Sequence, residues 1–175
     1  MVIWVTGLSS AGKTTICSAL FNILKPVFTQ TVFIDSESIR GIFDEELGFS
    51  EGEKIKQVQR VQKLTQMLEN QKLIVIVTIL YSNPDLLNWN RKNFNNYFEV
   101  YLQASLEMLR SRDPKKIYAE AAQGKMKNVV GLDIPWQPPL SPDLTIDNNL
   151  GLSPDAIVKK VISAIPHLNA RITLK

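Results

Sequence analysis

The sequence predicts an α/β fold: a parallel sheet of about five strands sandwiched between two helical layers. Three observations carry this. Strand-like and helix-like segments alternate along the 175 residues, the pattern of parallel βα units. The run LIVIVTIL at 73–80 is almost wholly apolar, as a strand covered on both faces must be. The opening run MVIWVT leads through GLSSAGKT at 7–14 directly into TICSALFNILK, so strand, glycine-rich turn and helix follow one another without a gap.

In chain order, residues 2–6 are rich in β-branched residues and form the first strand. A helix follows from about Lys13 to Leu24, with Pro26 behind it. TVFID at 31–35 is the second strand, ending in Asp35, where a parallel strand delivers side chains to the active edge. Residues 36–43 read as a short helix and LGFS at 47–50 as a turn. Ser50 is then the N-cap of the longest helix, 51–70, whose apolar stripe is Ile55, Val58, Val61, Leu64 and Leu68. After the apolar strand come a polar turn and short helix in SNPDLLNWNRKN, a strand at 97–102 and a helix at 106–112. Residues 113–142 are rich in Lys, Gly and Pro, with no strong apolar stripe before VVGLDIPW, and are expected to form a mobile lid and substrate loop. A last strand at 143–147 and a capped helix at 153–165 complete the reading; the tail after Pro166 is left unassigned.

The length suits a single domain over 1–175. No apolar run reaches the length of a bilayer-spanning helix, and no basic segment of a signal peptide stands at the start. The lone Cys17 cannot form an intrachain disulfide, so a reducing cytoplasm is the expected setting and helix packing the expected role of its thiol. A net charge of +3 is mild, and no Lys/Arg tract interleaved with aromatics points to nucleic acid. A single histidine, His167, argues against a His-based triad or a His-rich metal site.

The stretch at 7–14 fits G-x-x-x-x-G-K-[ST], the P-loop pattern. Backbone N–H groups and the positive end of a helix dipole answer the charge of a phosphate. Gly7 and Gly12 let the chain curl closely around the anion, Lys13 reaches the β/γ-phosphates, and the Thr14 hydroxyl is a natural Mg²⁺ ligand. Ser9, Ser10, Ala11 and Thr15 complete the cradle for ATP. No NKxD-like base-reading motif is present, which sets a switch GTPase aside; a short chain with a lid segment fits a small-molecule kinase. The competing class is a non-catalytic nucleotide-binding regulator, which has no need of acids such as Asp35 and Glu37 beside the phosphates.

To about Asn149 the chain resembles the adenylylsulfate (APS) kinase family. The matching stretches are GLSSAGKTT, DSESIR at 35–40 where the family has DGDxxR, LGFS at 47–50, RDPKKIY at 112–118 where it has RDPKGLY, and GKMKNVVGLDIPWQPP at 124–139. The resemblance implies transfer of the γ-phosphate of ATP, with Mg²⁺, to the 3′-hydroxyl of a small nucleotide's ribose, by a homodimer. It puts Asp35 and Glu37 on two acidic positions, one acting on the ribose hydroxyl and one helping to hold Mg²⁺; Asp35 and Ser36 also stand where a helix N-cap would, and Asp35 could do both. It makes Arg40 a substrate-binding arginine and Phe49 a ring that stacks on the acceptor base. Lys54, Gln57 and Arg60 would line an anionic pocket, though Arg40 and this trio could also be solvated helix faces. Lys115, Tyr118 and Lys127 fall in the lid, with Arg112 at its hinge on the ATP side.

Departures bear on the acceptor. Glu37 and Gln57 are each one methylene longer than the family's residues. Val129 stands where APS kinases carry a second aromatic opposite Phe49, with Trp136 either a substitute wall or a buried structural residue. Ala119, Glu120 and Ala122 replace basic lid residues. NWNR at 88–91 and NVVGLD at 128–133 are similar to a branch found with surface-polysaccharide genes, some members of which act on cytidine diphosphoramidate. APS is the default acceptor and cytidine diphosphoramidate the alternative.

Overall fold

A computed structural model describes residues 1–43 and 47–173. Five strands, β1 (Val2–Thr6), β2 (Thr31–Asp35), β3 (Ile74–Ile79), β4 (Tyr97–Gln103) and β5 (Leu144–Asp147), form one sheet in the order β2-β3-β1-β4-β5. Every pairing is parallel. All six residues of β3 are buried, which is why its sequence is a continuous apolar run rather than an alternating one. The register sets Thr78 of β3 beside Asp35 of β2, and the carboxyl ends of β1, β2 and β3 open into one crevice.

Helices cover both faces. On one, α1 (Lys13–Leu24) packs against α7 (Pro154–Ala164); on the other, α3 (Glu51–Asn70) packs on α4 (Pro84–Asn93). Leu20 and Leu24 of α1 and Trp4 of β1 are fully buried in a single core, where truncating one leucine costs about 2–5 kcal/mol. Cys17 belongs to the same core, and burial pushes its thiol well above the usual range, so it packs rather than reacts.

Ser50 does begin α3: the Glu53 carboxylate reaches back to the N–H groups of Gly48 at 2.8 Å and Ser50 at 3.0 Å. The buried face of this helix differs from the apolar stripe. It includes Lys54, Gln57, Gln62, Thr65 and Glu69 alongside Val58 and Val61, while Ile55, Leu64 and Leu68 are half-buried. Gln62 and Glu69 are tolerated inside because neighbours satisfy them, whereas the Thr65 hydroxyl and the Gln57 side-chain oxygen are without a hydrogen-bond partner among the described residues. Gln62 donates to the Leu86 carbonyl (2.9 Å) and to Asn90 (2.7 Å), and Glu69 accepts from the N–H groups of Asn95 and Asn96.

Three further elements depart from expectation. Helix α2 (Ser36–Arg40) stops at Arg40 rather than running to residue 43. The segment 113–142 begins after α5 (Leu106–Arg112) and contains a short helix, α6 (Ile117–Ala122). It also buries Tyr118, Val129, Val130 and Ile134 in the core cluster. The tail forms α8 (Pro166–Thr173) against α7, with Leu168 fully buried. Pro166 starts this helix, at a position where its missing N–H has no intrahelical partner to lose.

Candidate active site

The phosphate loop is a turn whose carbonyls face backwards. Lys13 Nζ donates to the carbonyls of Gly7 and Leu8, both at 2.8 Å. The Tyr118 hydroxyl donates to the Ser9 carbonyl (3.1 Å), and the buried Asn148 amide to the Ala11 carbonyl (2.8 Å). Across residues 9–12, Ala11 alone of the described residues has an N–H with a protein acceptor, Leu8 O at 3.3 Å. Helix α1 starts on Gly12, in a left-handed conformation (φ 88°), with no side chain capping its first turn. Free N–H groups and an uncapped helix start make an anion cradle. Gly7 has a different reason to be glycine: a Cβ there would lie 2.6 Å from the Leu102 carbonyl oxygen on β4. Burial pushes the Lys13 ammonium down from 10.5 to about 8, with Glu37 opposing the shift.

Asp35 caps a helix and holds two hydroxyls. Its Oδ1 accepts from the Glu37 N–H (3.0 Å), capping α2, and from the Thr78 hydroxyl (3.3 Å). Its Oδ2 accepts from the Thr14 hydroxyl (3.3 Å). Thr14 and Asp35 are thus two adjacent oxygen donors at the mouth of the phosphate loop. Mg²⁺ is usually held by one or two carboxylates with phosphates and waters, so this pair fits it. No cluster of three or more His, Cys, Asp or Glu suited to a metal occurs among the described residues. Glu37, in the first turn of α2, shares none of Asp35's side-chain partners and pairs instead with Lys115.

Two cavities meet at that pair. The smaller, about 170 Å³, is bounded by Gly12, Lys13, Thr14, Thr15, Ser10 and Asp35. The larger, about 390 Å³, is bounded by Arg40, Phe49, Lys54, Gln57, Lys127 and Val129, with Tyr81 and Met126. Ser9, Ser36, Glu37 and Lys115 line both. In the larger cavity Arg40 Nη1 donates to the carbonyls of Leu47 (2.9 Å) and Gly48 (3.0 Å). The Phe49 ring, 60% exposed, has the Arg40 guanidinium 4.8 Å and the Lys54 ammonium 5.2 Å from its centroid. Lys54 is only 6% exposed, and among the described residues neither it nor Arg40 has a carboxylate within ion-pairing distance. Burial, then Arg40, lowers the Lys54 pKa. The Gln57 amide donates to the Ser36 carbonyl (2.9 Å) while its oxygen has no partner.

Two expected residues lie outside this cavity. Arg60 borders a separate surface groove with Phe43, its guanidinium 4.6 Å from that ring. Each three-residue step along a helix falls about 60° short of a full turn, so Arg60 has rotated away from the face that Lys54 and Gln57 share. Trp136 packs on Tyr101, ring centroids 6.1 Å apart, and offers no wall opposite Phe49. Arg112 donates to the Asn148 carbonyl (2.8 Å), joining α5 to the chain after β5. The residues that sequence reasoning missed are Thr78, Asn148 and Tyr81. Thr78 had a signal, as the polar residue near the carboxyl end of an apolar strand.

The adenylylsulphate kinase family profile matches residues 1–147. The adenylyl-sulfate kinase of Pseudomonas aeruginosa is 35% identical over 164 residues, covering 93% of this chain and 83% of its own. The cytidine diphosphoramidate kinase of Campylobacter jejuni is 34% identical over 164 residues, covering 91% and 95%. An APS kinase from Mycobacterium tuberculosis, solved with AMPPNP and APS, shares the fold with a TM-score of 0.81 at 24% identity, over 94% of this chain and 96% of that one. With the glycine-rich loop, the acidic residues beside it and the adjoining cavity in place, the chain belongs to the adenylylsulphate kinase family, whose members are kinases that phosphorylate a hydroxyl.

Proposed function

We propose that this protein transfers the γ-phosphate of Mg²⁺·ATP to the ribose 3′-hydroxyl of a small anionic nucleotide, with adenylyl sulfate as the acceptor. The observation that carries the reading is the buried Lys54 beside Arg40, two cations without an acidic partner among the described residues, in a cavity joined to the phosphate loop through Glu37. Unpaired cations at such a site suit the anionic group of an acceptor. ATP takes the loop residues, with Mg²⁺ on Thr14 and Asp35 supplying charge neutralisation, and Phe49 takes the acceptor base. Residues 113–142 act as the lid over both, and the chain works as a cytoplasmic homodimer, readings supported by the family resemblance.

A second reading, cytidine diphosphoramidate as acceptor, is favoured by Val129. This residue is buried at 6% exposure and gives Phe49 no aromatic counterpart. One stacking contact is worth about 1–3 kcal/mol. ADP release with each acceptor, followed by phosphorus NMR of the product, tests both. A kcat/KM for adenylyl sulfate about tenfold or more above the cytidine compound upholds the first reading. The reverse ratio selects the second, and Val129→Phe should then move preference back toward the purine. ADP release with neither acceptor overturns the kinase reading.

A further inference from the structure

We infer that Asp133 is a positioning residue for the acceptor: its carboxylate closes residues 128–134 into the turn that presents Lys127 and Val129 to the acceptor cavity. The inference rests on the kinase reading above and assigns what holds the acceptor half of that site in shape.

The turn belongs to no helix and to none of the five strands. Its own backbone closes part of it. The N–H groups of Leu132 (3.1 Å) and Ile134 (3.2 Å) both donate to the Val129 carbonyl, and the Gly131 N–H donates to the Ile134 carbonyl (2.8 Å). The N–H groups of Asn128 and Val129 have no backbone acceptor among the described residues. Asp133 takes both, Oδ2 from Asn128 and Oδ1 from Val129. One carboxylate therefore pins two consecutive residues four and five positions back along the chain. Asn128 needs the pin, since its backbone is left-handed (φ 62°), a conformation asparagine tolerates but does not favour.

The pinned residues are the ones that face the acceptor. Lys127, Asn128, Val129 and Val130 all line the larger cavity, and both valines are buried. Asp133 is exposed and lines neither cavity, so it acts through the turn. The turn also backs onto the phosphate loop: a Cβ on Gly131 would lie 3.1 Å from Leu8 Cδ2. A slip of the turn would thus disturb the acceptor wall first.

The charge of Asp133 has a second target. Burial and then Arg40 of α2 lower the Lys54 pKa, and Asp133, with Glu53 of the same helix as Lys54, opposes them. The other charged groups lining this cavity are Glu37, Lys115 and Lys127. Without the Asp133 carboxylate, Lys54 gives up its proton at a lower pH, and a neutral amine no longer meets the acceptor's anion.

The test is acceptor kinetics at saturating Mg²⁺·ATP, with adenylyl sulfate and with cytidine diphosphoramidate. Asp133→Asn keeps the size of the side chain but loses its charge and one acceptor oxygen. It should raise the KM of whichever acceptor the wild type turns over by about tenfold, and Asp133→Ala by more, while kcat and the ATP KM move by about twofold or less. As pH is raised, the acceptor KM should climb at a lower pH in Asp133→Asn than in the wild type, a shift that loss of stability alone does not produce. An unchanged acceptor KM, a parallel loss in kcat and ATP KM, or coincident pH profiles overturn the assignment. Amide hydrogen exchange needs no acceptor. In Asp133→Ala the N–H groups of Asn128 and Val129 should lose protection while those of α1 keep theirs, and retained protection at 128 and 129 overturns the pin. The kinase reading fails separately, if the wild type phosphorylates neither nucleotide, and the exchange measurement still decides what Asp133 holds.

Discussion

The two halves of the crevice are finished to different degrees. On the phosphate side the carbonyls of Gly7, Leu8, Ser9 and Ala11 are all engaged by Lys13, Tyr118 and Asn148. Asp35 is likewise held, by Thr14, Thr78 and a backbone N–H. On the acceptor side Lys54 lacks an anion among the described residues, the Gln57 oxygen lacks a donor, and Phe49 stands largely in solvent. A half whose carbonyls and acid are already held, with only backbone N–H groups left open, is built for a constant ligand. A half with open polar groups takes its definition from the ligand that closes it. This is why the reaction class reads clearly from the geometry while the acceptor needs an assay.

Three substitutions or conditions sharpen the contrast. Lys13→Ala should lower kcat by about 10²–10³-fold while leaving the circular dichroism spectrum unchanged, because charge stabilisation is lost but the core is untouched. Near wild-type turnover in that variant would remove ATP from the loop. Lys54→Met should raise the acceptor KM by about tenfold to a hundredfold, the worth of one charged hydrogen bond, and leave the ATP KM alone. If both KM values rose together, the two halves would not be separable.

The smallest effect is a pH dependence. The Lys13 ammonium in the free protein titrates near 8, lowered from 10.5 by burial, and phosphate binding requires the charged form. Affinity for an ATP analogue should therefore fall about tenfold between pH 7 and 9, as the competent fraction falls. Stability moves the other way. Between about pH 8 and 10.5 the unfolded chain binds the proton that folded Lys13 has released, so this group's contribution to stability rises with pH. Calorimetric titrations and melting temperatures across that range read the two trends independently.

Much of the fold was legible because β3 and the strand–turn–helix at the start carry their pattern locally. The buried polar face of α3 was not. Gln62, Thr65 and Glu69 are inside, and the visible partners of Gln62 and Glu69 come from α4 and the turn after it, more than twenty residues away. Helical periodicity weighs apolarity, so it drew the stripe through Ile55 and Leu64 instead. The loop and Asp35 were legible from pattern and position in the sequence, and Glu37 through the family resemblance. The support from Asn148 and Tyr118 was not, since only the folded chain brings residues 137 and 109 positions apart into contact. Arg60 misled because its charge suited the pocket while its angle on the helix did not.

Helix α2 carries Glu37 near its start and Arg40 as its last residue. Three residues of helix advance about 4.5 Å and bring both side chains onto neighbouring faces. In the reading proposed above the element is in effect a gauge: the acid assigned to the reacting hydroxyl and the guanidinium assigned to the anionic group are set apart by a fixed rigid length. Acceptors are then measured, as well as bound. A nucleotide whose hydroxyl and anion match the interval can satisfy both contacts, and one with a longer linkage must fold back to do so. Lengthening α2 by a single residue would alter the interval and turn Arg40 by about 100°, recalibrating the enzyme without touching any residue that contacts ATP.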